Sequence, residues 1–212
     1  HPACAMTSVP QYGGRMALKT YALLDVVGVK AQLHSGDTKP VKEFWSAADA
    51  WTNGVGNSLQ PMRVLGKNQV QVPEVSVVTF SDSALVFTTP EFELDAFYKI
   101  LGGFKQALES RVGKVYCIVS RGEDVGHHAL PALGMTSLGG DMKPHYFNVA
   151  GTGKAWVDLH LADRAIGKKK EWHPKYTLYC VGANSKPHDV AAIDELTFRD
   201  FDDNDELLLA LA

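Results

Sequence analysis

Apolar positions along the chain follow two rhythms. Leu94, Phe97, Tyr98, Leu101, Phe104, Leu108 and Val112 recur at three- and four-residue intervals after Pro90, the spacing of one helix face. They predict the clearest helix in the chain, with Gly102-Gly103 either weakening it or permitting close packing. Phe44, Trp45, Ala48 and Trp51 predict a helix over Lys42 to Thr52 that stops at Asn53-Gly54, and this spacing assigns the tryptophans to the core rather than to a ligand. A short helix over Val29 to Leu33 is broken by Ser35-Gly36-Asp37 and Pro40. Lys154 to Ile166 reads as a further helix with Thr152 as N-cap.

The second rhythm is that of strands. Ala17 to Val27 is apolar on both faces, which suits a central strand in a covered sheet. Glu74 to Phe80 and Ala84 to Thr89 are β-rich and joined only by Ser81-Asp82-Ser83, so they form a hairpin with Asp82 at its tip. Lys114 to Ser120, Tyr146 to Ala150, Tyr176 to Val181 and Glu195 to Phe198 complete the strands, while Asn57 to Gln71 and Gly126 to Gly140 read as irregular. The order β-α-α-β-β-α-β, a loop, then β-α-β-β predicts an α+β fold. It would be a ferredoxin-like βαββαβ core with additions, helices covering one face of a largely antiparallel sheet. Strands one and three are neighbours in such a sheet, so the ends that carry Asp25 and Asp82 meet.

Composition narrows the partners. The 212 residues, 45% hydrophobic and 21% charged, suit one domain over residues 16–199. Residues 1–15 read as a mobile leader whose non-Met start suggests processing or a cloning remnant, and residues 200–212 as an acidic, solvated tail. A net charge of -3 and a pI near 6.2 give no global attraction to nucleic acid or anionic membrane. Cys4, Cys117 and Cys180, three in number and widely spaced, fit neither a disulfide framework nor a zinc site and point to a cytoplasmic protein. No apolar run approaches the roughly 20 residues of a membrane span. His127-His128 lacks a third ligand at useful spacing, and Lys168-Lys169-Lys170 suits a helix C-terminus.

Thr20 to Gly28 and Val77 to Ser83 are apolar, partly β-branched runs that each end in one carboxylate, Asp25 or Asp82. Acids converging on sheet ends can bind two Mg²⁺ or Mn²⁺ ions carrying a nucleoside triphosphate, because these ions take carboxylate, carbonyl and phosphate oxygen. Turn formation is the competing role of Asp82.

Leu23-Leu24-Asp25-Val26-Val27-Gly28-Val29-Lys30 resembles the first metal motif of class III nucleotidyl cyclases, an apolar strand followed by Asp-Ile-x-Gly-Phe-Thr. Phe80-Ser81-Asp82-Ser83-Ala84 is similar to their second metal motif, which normally ends Gly-Asp. Phe147-Asn148-Val149-Ala150-Gly151 resembles the Tyr-Asp-x-x-Gly strand before their catalytic helix. The resemblance covers residues 17–182. It implies conversion of a nucleoside triphosphate into a 3′,5′-cyclic monophosphate and pyrophosphate at sites shared by a head-to-tail homodimer. Asp25 and Asp82, with the main-chain carbonyl of Val26, would bind both metals. Arg164 and, four residues earlier, His160 would stand in for the family's phosphate-binding Arg and ribose-binding Asn, with Asp158 competing for the latter role; directed guanidinium charge suits a transition-state oxyanion.

Departures from the family carry information too. Adenylate cyclases read adenine with a Lys four residues before the second metal Asp and an Asp after the Tyr of the third motif. Val78 and Asn148 stand there in this chain, and the Glu of guanylate cyclases is missing. A short, single-domain cyclase without purine readers resembles the pyrimidine cyclases of bacterial anti-phage (Pycsar) signalling. That implies UTP as substrate, CTP next, with Asn148 and Arg121 towards the base. The alternatives are a purine cyclase with unusual base readers, a catalytically inactive cyclase-like dimer that binds nucleotide, or a ferredoxin-like interaction module.

Overall fold

Leu18–Val26 forms the central strand, β1, as its unbroken apolar run predicts: eight of its nine residues are buried. The computed structural model describes residues 18–54, 63–66, 69–71, 74–89, 91–123, 128–131, 147–150, 153–168, 177–188 and 198–201. After β1 come helices α1 (Val29–His34) and α2 (Lys39–Gly54), strands β2 (Arg63–Gly66), β3 (Gln69–Gln71), β4 (Val75–Phe80) and β5 (Ser83–Thr88), and helix α3 (Leu94–Val112). Strands β6 (Val115–Glu123), β7 (His128–Pro131) and β8 (Phe147–Ala150), helix α4 (Lys154–Lys168), β9 (Leu178–Val181), a 3₁₀ turn (Ala183–Ser185) and β10 (Phe198–Phe201) follow.

The fold is mixed α+β. Six strands form one sheet in the order β10-β9-β6-β1-β5-β4, while β2–β3 and β7–β8 are separate two-stranded ribbons. β1 pairs antiparallel with β5 and with β6, and β5 pairs antiparallel with β4. The expected adjacency of strands one and three is therefore present as β1 beside β5. β9 and β10 extend the sheet in parallel beyond β6.

Alternation along β1 divides the core in two. Ala22, Leu24 and Val26 pack with Phe44 and Ala48 of α2 and with Phe97, Leu101, Phe104 and Leu108 of α3. Tyr21 and Leu23 instead pack with Ala155, Leu159, Ala162 and Ile166 of α4. Helices thus cover both faces, which corrects the expectation of one covered face. The reason is chemical: Tyr21, Leu23, Ile118, Tyr179 and Val181 make the second face apolar as well, and such a face must be withdrawn from water.

The helix boundaries follow from local chemistry. Glu93 caps α3, its carboxylate accepting from the Asp95 and Ala96 amides at 2.9 and 2.5 Å. Gly113, at φ 84°, ends the same helix. α1 ends at His34, just before Ser35-Gly36-Asp37 as expected, and Pro40 sits in the first turn of the next helix, α2, where a missing N–H costs nothing. Trp45 departs from its assignment to the core, being 48% exposed while Phe44 beside it is fully buried. Phe44 lies on the face of α2 that packs on the core, and Trp45, about 100° further round the helix, instead donates its indole N–H to the Ser81 carbonyl at 2.7 Å. Trp51 does pack inward, with its ring centroid 4.7 Å from that of Phe104.

Two further expectations shift. The stretches read as irregular hold the β2–β3 ribbon, within Asn57 to Gln71, and β7, within Gly126 to Gly140, and β10 spans Phe198–Phe201, so Asp200 and Phe201 stand in a strand rather than in the tail. Residues 1–15, the Thr152 cap, most of the loop before Tyr146, Lys169, Lys170 and the tail beyond 201 lie outside the described residues. No helix among the described residues is long and apolar enough to cross a membrane.

Candidate functional site

Pairing of β1 with β5 sets Asp25 opposite Ser83, so the β4–β5 turn closes beside the end of β1. Three bonds fix that turn. The Val26 amide donates to the Asp82 carbonyl at 3.3 Å, the Trp45 indole N–H donates to the Ser81 carbonyl at 2.7 Å, and the Ser83 hydroxyl donates to Asp25 Oδ1 at 2.7 Å. Two carboxylates are thereby buried together, Asp25 at 7% and Asp82 at 6% exposure.

Their surroundings differ. Asp25 Oδ2 accepts from the Tyr116 hydroxyl at 2.8 Å, because the β1–β6 register sets Tyr116 directly opposite. The same hydroxyl lies 2.9 Å from Asp163 Oδ1 on α4. Asp82 Oδ2, in contrast, is buried with no hydrogen-bond partner among the described residues. Burial pushes the Asp25 carboxyl above its ordinary value; the Ser83 and Tyr116 bonds oppose that rise, the Asp82 charge adds to it, and Lys30 opposes it. Burial, followed by the charges of Asp25 and Asp163, pushes the Tyr116 phenol upward, so it stays a donor.

A divalent cation fits this donor set. The side chains offer hard carboxylate oxygens, one of them without a hydrogen-bond partner among the described residues, which suits Mg²⁺ or Mn²⁺ rather than zinc. Among the described residues no three His, Cys, Asp or Glu side chains are grouped to hold a metal. The pair would therefore share its cation with outside oxygen, as Mg²⁺ does with phosphate.

The remaining predicted residues are spread over the molecule. Arg164 and His160 lie on α4 with exposed side chains, His160 edge-on to Trp156 at 4.6 Å, and Arg164 directly follows Asp163. Asp158 pairs with Lys154 at 2.6 Å. Val78 is 43% exposed on β4, four residues before Asp82. Asn148 stands opposite Leu130 in the β7–β8 ribbon, outside the main sheet. Arg121 is opposite Thr20, about 17 Å along β6 from Tyr116, and its guanidinium donates to the Phe92 carbonyl at 3.3 Å. A cleft of about 370 Å³ lies at that other end of the sheet, lined in part by Arg121, Glu123, Lys154 and Asp158.

Within one chain the structure thus gathers Asp25, Val26 and Asp82 and leaves Arg121 at the far end. Sequence reasoning missed Ser83 as a partner of Asp25, and also Trp45, Tyr116 and Asp163. Ser83 could have been found from the short turn that joins it to Asp82. Tyr116 and Asp163 had no such signal, because only the strand register and the docking of α4 bring them to Asp25. The chain matches no protein-family model and no curated protein.

Proposed function

We propose that the chain is a metal-dependent nucleotidyl cyclase that converts a pyrimidine nucleoside triphosphate, UTP before CTP, into its 3′,5′-cyclic monophosphate and pyrophosphate. One observation carries the reading: carboxylates from β1 and from the β4–β5 turn are buried at one end of the sheet, where the Asp82 charge acts on Asp25, and Asp82 Oδ2 has no hydrogen-bond partner among the described residues. Burying two like charges is costly unless something positive joins them. Bound there, two Mg²⁺ or Mn²⁺ ions would lower the pKa of an attacking ribose hydroxyl and neutralise the leaving phosphates.

The backbone supports the resemblance to class III cyclases. The strand order β6-β1-β5-β4 is that of a ferredoxin-like βαββαβ core. Ser81, at φ 55°, occupies the position where the second metal motif has Gly, and Gly28, at φ 90°, occupies the Gly of the first. Both are conformations that glycine adopts without strain.

Asp25 and Asp82, helped by the Val26 carbonyl, hold the cations and so orient the triphosphate. Arg164 supplies directed charge to the phosphates and His160 contacts the ribose. Their exposure on α4 suits a site completed across a head-to-tail homodimer, each helix serving the partner's carboxylates. Val78 offers no polar group to a purine edge, and Asn148 and Arg121 read the pyrimidine. Arg121, about 17 Å along β6 from Tyr116, would have to reach the base across the dimer. A cytoplasmic second messenger in anti-phage defence is the corresponding role.

Incubating the purified protein with each of the four ribonucleoside triphosphates and Mn²⁺ tests the reading. Cyclic UMP with pyrophosphate is expected, cyclic CMP in smaller amount, and neither from Asp25→Ala. Cyclic AMP or GMP as the main product would overturn the pyrimidine assignment, and no product from any substrate would overturn the enzyme.

A further inference from the structure

We propose that Tyr116 and Asp163 are positioning residues that hold the Asp25 carboxylate for a divalent cation and tie it to helix α4. The inference rests on the metal reading of Asp25 and Asp82 and adds two residues to it. A carboxylate on a strand end has free rotation about its last bond, and a cation site needs that rotation stopped. Here both oxygens are gripped: Oδ1 by the Ser83 hydroxyl at 2.7 Å and Oδ2 by the Tyr116 hydroxyl at 2.8 Å. Each oxygen keeps a second lone pair for a cation.

Tyr116 can do this only if its own ring is fixed. Its ring packs edge-on to Tyr179 with centroids 6.4 Å apart, and its hydroxyl also lies 2.9 Å from Asp163 Oδ1. A phenol has one proton, so it donates to one carboxylate at a time. Asp163 is therefore the alternative acceptor for that O–H. Asp163 belongs to α4, whose Ala155, Leu159, Ala162 and Ile166 are seated on the sheet. The chain Asp25–Tyr116–Asp163 thus joins the acidic pair to the helix that carries Arg164 one residue later.

Mn²⁺ binding to the full chain without nucleotide, followed by electron paramagnetic resonance alongside thermal unfolding, tests this. Tyr116→Phe should weaken Mn²⁺ binding by about 10- to 100-fold, the usual effect of losing a hydrogen-bond partner behind a metal ligand. Asp163→Ala should weaken it by roughly 5- to 10-fold. Asp163→Asn, whose amide can still bond the phenol, should restore binding to within about threefold of wild type. A role in folding alone would move the melting temperature of Asp163→Ala without this separation of Ala from Asn. Should Tyr116→Phe fail to fold, the Ala and Asn variants at 163 carry the test. Wild-type affinity in Asp163→Ala and Tyr116→Phe, with binding lost in Asp25→Ala, would overturn this inference and leave the metal reading standing. Equal Mn²⁺ affinity in wild type and Asp25→Ala would overturn both.

Discussion

Under α2 and α3 the sheet is filled by Phe44, Phe97, Leu101 and Phe104, all fully buried, and the buried Lys105 of α3 is paired with Glu109 at 2.7 Å. Under α4 the apolar layer of Leu159, Ala162 and Ile166 gives way, at one end, to Asp25, Tyr116 and Asp163. The same strand serves both sides, since Leu24 and Asp25 are neighbours pointing to opposite faces. A face built of interlocking rings gains stability with every contact. A face that ends in two buried carboxylates gives some of that up, and on the proposed reading the charge it holds would serve a cation. Substitutions on the two faces should therefore differ in sign, not only in size.

The largest effect is expected from Phe104→Ala. Its ring is fully buried and stacks against Trp51, so truncation should cost about 3–5 kcal/mol of unfolding free energy by denaturant titration. A loss under about 1 kcal/mol would mean that the layer beneath α3 is not the mainstay of the fold. On the other face Asp82→Asn should do the reverse. It removes one of two buried like charges and gives the unpartnered oxygen's position a neutral group, so the metal-free protein should gain about 1 kcal/mol while cation binding is lost. A destabilised Asp82→Asn protein would show that the turn depends on the carboxylate itself and would break the contrast between the faces.

How much of this was legible depends on how far each interaction reaches along the chain. α3 runs from Leu94 to Val112, the span of its apolar period, because helix periodicity is local. The hairpin and the burial of β1 were legible for the same reason. Asp25 and Asp82 could be paired in advance because the β1–β5 adjacency follows from the order of elements. Trp45 was misassigned because its neighbour Phe44 carries the inward face of α2, and the carbonyl that takes its indole N–H, that of Ser81, is 36 residues away in the chain. Tyr116 was not legible as a site residue. In Val115-Tyr116-Cys117-Ile118 it reads as one more core aromatic, and which β1 residue it faces depends on a register that sequence does not state. Asp163 reads as an ordinary helix charge until α4 is docked on the second face. The elements were written locally, whereas the polar contacts of the site were written in the packing.

A smaller effect probes the contrast through pH. Burial is the main reason that the Asp25 carboxyl stands above its ordinary value, so the metal-free fold favours the protonated acid. The stability contributed by this group is fully present below the unfolded carboxylate value of about 3.9 and is lost as pH rises through the raised folded value. Relative to Asp25→Asn, wild type should therefore lose unfolding free energy as pH rises through that window, when both are measured without metal. Mn²⁺ affinity should move the opposite way over the same window, rising with pH, because a cation needs the carboxylate. Wild-type stability that climbed with pH relative to Asp25→Asn would mean that Ser83, Tyr116 and Lys30 outweigh burial. The Asp25 end of the α4 face would then be a stabilising feature like the face behind it.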